Sequence, residues 1–152
     1  MAAARSIRSG ATMQELRSIY FSECALRGNV PVFIQIDTII SDTVNRTLGE
    51  GSAFAIDAVS QRFHYTGDYG RTICFGEPST EMKRATDAIA LGWDAIREVL
   101  KPGIRYSQIR EIGRKAMKRA GYKYDVAVTP HSVGLCHTDE PGKQANGAYW
   151  QK

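Results

Sequence analysis

No run of apolar residues in this chain approaches the roughly 20 that would span a bilayer, and the opening Met-Ala-Ala-Ala-Arg has no long apolar stretch ahead of a cleavage site. Both absences argue against membrane insertion and secretion. Cysteine is scarce: Cys24, Cys74 and Cys136 are an odd number, widely spaced, with no C-x-x-C pair. This excludes a disulfide framework and a cysteine metal clip, and fits a reducing, cytoplasmic setting. Internal repeats and low-complexity linkers are missing too. Neither charge sign is in large excess, since 20 Lys and Arg against 16 Asp and Glu leave +4. So small a surplus, spread along the chain, reads as a solvated surface rather than a nucleic-acid site.

What remains is an ordinary composition, 43% hydrophobic and 24% charged over 152 residues, enough for one packed domain. Thr12-Met-Gln-Glu15 has capping-box spacing, and Leu16, Ile19, Tyr20 and Cys24 follow at helical intervals up to Gly28, which predicts a helix from Thr12 to Arg27. Val30 to Ile36, Ser52 to Val59, Arg62 to Thr66 and Gly70 to Phe75 are short β-branched and aromatic runs that predict a sheet. After Gly76-Glu-Pro78, Met82, Ala85, Ile89, Trp93, Ile96 and Leu100 mark one face of a long helix ended by Lys101-Pro-Gly103. In a second helix Ser107 is the expected N-cap, Ile109, Ile112, Ala116 and Ala120 form the apolar stripe, and Gly121 closes it. Arg110, Arg114, Lys115 and Lys118 then face water. This order gives an α+β class rather than a regular β-α alternation. Residues 1–10 and the last ten read as loose.

Asp57 lies in Ser-Ala-Phe-Ala-Ile-Asp-Ala-Val, where a carboxylate needs a partner, because uncompensated burial of the ionised form costs on the order of several kcal/mol or forces it to protonate. Alone it fits a satisfied structural carboxylate as well as a ligand. Asp68 follows eleven residues later, and strands folding back would bring both carboxylates to one end of a sheet. Close carboxylates need a proton or a cation between them, and hard oxygen donors suit Mn²⁺ or Mg²⁺. Asp68 would equally cap a turn. Two of the three histidines, His131 and His137, fall in Thr-Pro-His-Ser-Val-Gly-Leu-Cys-His-Thr-Asp-Glu-Pro. Imidazole ligates borderline metals and moves protons near neutral pH, although paired loop histidines are more often structural.

The ordered combination narrows these alternatives. Ile56-Asp57, Tyr65-Thr-Gly-Asp68-Tyr-Gly-Arg71-Thr72, Gly76, the Lys101-Pro-Gly103 break and His131-Ser-Val-Gly134-Leu135 together resemble the pita-bread metallopeptidases. That family includes aminopeptidase P, prolidase, methionine aminopeptidase and creatinase. Arg71-Thr72 and the His137-Thr-Asp-Glu-Pro ending resemble its Xaa-Pro-cleaving branch.

The resemblance implies an incomplete pita-bread fold, with residues 11–152 a partial catalytic domain lacking its C-terminal portion. It implies a peptide substrate and two divalent ions, Mn²⁺ first with Co²⁺ or Zn²⁺ as alternatives. Asp57 would chelate one ion, Asp68 would bridge both, and His131 would bind the second. His137 would be the catalytic, substrate-contacting histidine. No nucleic-acid or membrane partner is implied, and a homodimer is left open.

Three departures stand out. No acidic residue follows Glu140, where the family places two glutamate ligands downstream. No histidine lies around Ile40 to Asn45, where the family has a substrate contact. His137 comes six residues after His131 instead of the commoner seven, so Thr138 or Asp139 competes for its role. A chain cut short is the favoured explanation for the missing glutamates. The competing readings are a catalytically silent binding module and a creatinase-like hydrolase of a non-peptide C–N bond.

Overall fold

The computed structural model describes residues 5, 7–37, 40, 43–49, 53–123, 126 and 128–139. The element order is α1 (Met13–Leu26), β1 (Val30–Ile36), β2 (Ala53–Arg62), β3 (Tyr65–Cys74), α2 (Thr80–Val99) and α3 (Tyr106–Arg119). Two compact units share them: residues up to Pro78 with Val133–His137, and Ser79–Ser132 with the residues from Thr138 onward.

In the first unit the capping box of α1 forms as its spacing predicts. Thr12 accepts from the Glu15 amide at 3.1 Å, and the Thr12 amide donates to Glu15 at 2.6 Å. Gly28 follows the helix at φ 68°, the left-handed position glycine tolerates best. The sheet is antiparallel in the order β1-β2-β3. Alternation sends Ile34, Ile36, Phe54, Ile56 and Ala58 to one face, where Met13 and Leu16 of α1 and Leu48 close the core. Each of the large side chains contributes about 1.5–3 kcal/mol on burial, which fixes the register because a one-residue slip would expose the whole set.

Two sequence expectations need correction here. Arg62 to Thr66 and Gly70 to Phe75 are not separate strands: Arg62 ends β2, and one unbroken β3 runs through the turn-prone Tyr-Thr-Gly. The turn falls instead at Phe63-His64, between the paired residues Arg62 and Tyr65, with φ of 51° and 68°. Two positive φ values in a two-residue hairpin loop are the geometry of a type I′ turn, usually signalled by Asn-Gly. Aromatic side chains hid it.

In the second unit Ser79 caps α2 through the Met82 amide at 3.2 Å, and Gly103, at φ 90°, follows its end. The inward stripe of α2 differs from the expected one. Ala88, Gly92 and Ile96 are buried, whereas Ile89, Trp93 and Leu100 remain exposed, Trp93 by 55%. The reason is helix packing. A Cβ on Gly92 would lie 2.9 Å from Met117 Cγ, and one on Gly113 would lie 2.8 Å from Ile96 Cδ1, so each glycine receives a side chain of the other helix. Small residues, not large apolar ones, mark this contact.

The N-cap of α3 is Arg105 rather than Ser107, with the Arg105 amide donating to Gln108 at 3.0 Å. Its buried stripe is Tyr106, Ile109, Gly113 and Met117; Ile112 and Ala116 flank it, and Ala120 is exposed. Gly121, at φ 80°, closes the helix as expected. The expected loose ends fall largely outside the described residues.

Candidate functional site

Register decides what the two aspartates can do together. Asp57 stands opposite Gly70, and Val59 stands opposite Asp68, so both carboxylates project from one face of the β2–β3 pair as diagonal neighbours. This is the face away from the α1 core. Asp68 therefore lies within a strand and not at a turn.

Strand β1 extends both rows. Gln35 pairs with Asp57 and Phe33 with Val59, giving Gln35, Asp57 and Gly70 in one row and Phe33, Val59 and Asp68 in the next. Within the Arg71-Thr72 motif, alternation puts Thr72 on the aspartate face and Arg71 on the other. The Arg71 guanidinium sits 4.1 Å from the Tyr69 ring centroid.

His137 closes over the second row. Its Nε2 lies 3.2 Å from Asp68 Oδ2, with 28% of the His137 and 21% of the Asp68 side chain exposed. An ionised carboxylate only accepts, so this contact puts the hydrogen on Nε2. Phe33 meets the imidazole edge to face, with 5.3 Å between centroids and 88° between planes. The loop is held at the outer edge of β3, where the Thr66 amide donates to the Gly134 carbonyl at 2.7 Å. A backbone bond to a strand edge places the loop more firmly than side chains alone would.

His131 belongs to the second unit, where its Nδ1 is 3.0 Å from the Ser132 carbonyl. Ser132 and Asp139 form an isolated bridge, with the Ser132 hydroxyl donating to the Asp139 carbonyl. Phe33 and Thr66 escaped sequence reasoning: an aromatic in an apolar strand and a threonine before a glycine carry no signal of a histidine loop sixty or more residues away.

A family model describing metallopeptidase family M24 matches residues 1–151. The chain belongs to metallopeptidase family M24. Among curated relatives, an ectoine hydrolase from Halomonas elongata is 31% identical over 96 residues, 63% of this chain and 24% of its own length. An Xaa-Pro dipeptidase from Lactobacillus delbrueckii is 29% identical over 72 residues, 47% of this chain and 20% of its own length. A prolidase structure from Pyrococcus furiosus superposes with a TM-score of 0.86 at 22% identity, covering 100% of this chain and 48% of that one. An X-Pro aminopeptidase structure from Thermotoga maritima gives 0.83 at 19%, covering 95% and 44%.

These likenesses give the M24 chain the pita-bread fold, in incomplete form. It spans less than half the length of these solved neighbours and about a quarter or less of the curated relatives. Family membership implies divalent metal. The oxygen donors Asp57 and Asp68, on one sheet face with an imidazole at Asp68, are chemically suited to such an ion. Among the described residues no helix is long and apolar enough to cross a membrane.

Proposed function

We propose that this chain contributes to a dinuclear metal centre that hydrolyses peptide bonds at Xaa-Pro, as an aminopeptidase or dipeptidase. The observation carrying the reading is the shared sheet face of Asp57 and Asp68, with His137 held against Asp68. Asp57, Asp68 and His131 are the proposed ligands, and Mn²⁺ is the proposed ion. Bound divalent ions supply a water of lowered pKa and polarise the scissile carbonyl.

The remaining roles follow from the protein groups. With its hydrogen on Nε2, His137 is a donor suited to the substrate carbonyl oxygen and to the oxyanion that develops from it. Phe33, edge to face with the imidazole, restricts the ring's swing and keeps that donor near the aspartate face. Asp68 accepts from His137 in this structure and would share it with substrate. The two glutamates of the family pattern are not among these 152 residues, so the roles proposed here are those of the ligands and donors that the chain does hold. Its three free cysteines support a reducing, cytoplasmic setting.

The likeness to an ectoine hydrolase favours a second reading, hydrolysis of a small non-peptide substrate on the same scaffold. A direct assay separates the two. With Mn²⁺ supplied, the longer protein containing this chain is expected to release proline from Xaa-Pro dipeptides or the first residue from Xaa-Pro peptides. Turnover of ectoine with no cleavage of either peptide would replace the first reading with the second.

A further inference from the structure

The chain's surplus of positive charge is concentrated on one helix. Within α3, Arg110, Arg114, Lys115, Lys118 and Arg119 stand against Glu111 alone, a balance of four that equals the +4 of the whole chain. The other residues are neutral in sum. By contrast α2 sets Lys83, Arg84 and Arg97 against Glu81, Asp87, Asp94 and Glu98, the mixed signs of an ordinary solvated face.

Helical geometry orders the α3 charges further. Arg110, Arg114 and Lys118 follow at four-residue intervals, a row of cations about 6 Å apart along the axis. With Ser107, Glu111 and Lys115 they line one open concavity of about 250 Å³, wholly within the second unit. Arg110 Nε donates to the Val128 carbonyl at 2.9 Å, which fixes the plane of that guanidinium. The helix's one carboxylate, Glu111, is engaged by Lys115 at 2.6 Å. Like charges four residues apart weaken a helix. The negative end of the helix dipole offsets this for Lys118 and Arg119 in the last turn, but not for Arg110 and Arg114, so helix stability does not account for the row.

We infer that the α3 row docks an acidic polypeptide segment of a partner protein, whose carboxylates meet Arg110, Arg114 and Lys118 in turn. Alternate side chains of an extended segment repeat every 6.6–6.8 Å or so, about the spacing of the row, and long basic side chains absorb the difference. Arginine forks pair bidentately with carboxylates. The concavity has no aromatic lining residue on which a base could stack, which favours a peptide over single-stranded nucleic acid. The inference does not rest on the peptidase reading.

The test is fluorescence anisotropy of the full chain with a labelled peptide of alternating Glu and Ser, beside a labelled oligo(dT) of equal charge. Saturable peptide binding at low ionic strength is expected, tighter than that of the oligonucleotide and lost as added salt screens the pairs. Arg114→Gln with Lys118→Gln should weaken it about fivefold or more. Glu111→Gln, which removes the opposing carboxylate, should tighten it about twofold, a gain that misfolding cannot produce. Arg8→Gln with Arg62→Gln makes the same change in net charge on the first unit and should leave binding within about twofold of wild type. Absence of peptide binding, or equal weakening by the two double variants, would overturn the proposal. Tighter binding of oligo(dT) through the same α3 residues would overturn the peptide as occupant.

Discussion

Adding one methyl at Gly92 should destabilise the second unit, against the trend of helix propensity. Glycine to alanine inside a helix is worth about 1 kcal/mol of stabilisation when nothing else changes. Here the new Cβ would stand 2.9 Å from Met117 Cγ and 3.3 Å from the Gly113 carbonyl oxygen. Neither neighbour yields easily, since Cγ lies mid-chain in a buried side chain and the oxygen belongs to the α3 backbone. Overpacking of this kind costs about 1–3 kcal/mol, so Gly92→Ala should lose about 1 kcal/mol net.

Met117→Ala removes the nearer contact, at a cost of about 2–5 kcal/mol for the buried side chain, and leaves the Gly113 carbonyl oxygen at 3.3 Å. On that background Gly92→Ala should be close to neutral or mildly stabilising, a coupling of about 1–2 kcal/mol between the two sites. Native-state hydrogen exchange of the α2 and α3 amides reads the effect locally. If Gly92→Ala stabilises equally with Met117 present and absent, the close helix contact is wrong. Gly113→Ala meets chiefly the end of the Ile96 side chain, at 2.8 Å, and should cost less than Gly92→Ala.

Three further outcomes are expected. In the metal-loaded longer protein, Asp68→Ala should abolish metal binding while His137→Ala mainly lowers turnover; equal metal loss in both would contradict the roles given. The Glu15 carboxyl is held below its ordinary 4.5 by hydrogen bonds from the Thr12 backbone amide and side chain. Its contribution to α1 is therefore present above pH 4.5 and is lost as pH falls through the lowered value, so Glu15→Gln should flatten the acid limb of a stability-pH curve. Replacing Phe63-His64 with Asn-Gly should raise the melting temperature by relieving about 1–2 kcal/mol per left-handed residue, and an unchanged or lower value would count against the turn type.

What could be read from the sequence divides along the range of the interaction. The α1 capping box, the Lys101-Pro-Gly103 break and the Val30 to Ile36 strand depend on neighbours a few residues apart, and residue type announces them. The ordered Asp57, Asp68 and His131 pattern was legible for a different reason: it carries the resemblance to a known family. The Phe63-His64 turn was hidden because its backbone conformation is one these residues seldom adopt, so strand pairing on both sides imposed it. The inward face of α2 was misread because periodicity favours large apolar residues, whereas Gly92 and Gly113 are buried by proximity to side chains of another helix. Phe33 and Thr66 acquire their roles only when a loop many residues later reaches β1 and β3.

The most direct test of a metal site built on the β2–β3 carboxylates is calorimetric titration of the chain with Mn²⁺, beside the same chain carrying Asp57→Ala and Asp68→Ala together. Saturable binding by the native chain that disappears in the double variant is the expected result. Identical heats from the two chains, whether both bind Mn²⁺ or neither does, would contradict the site.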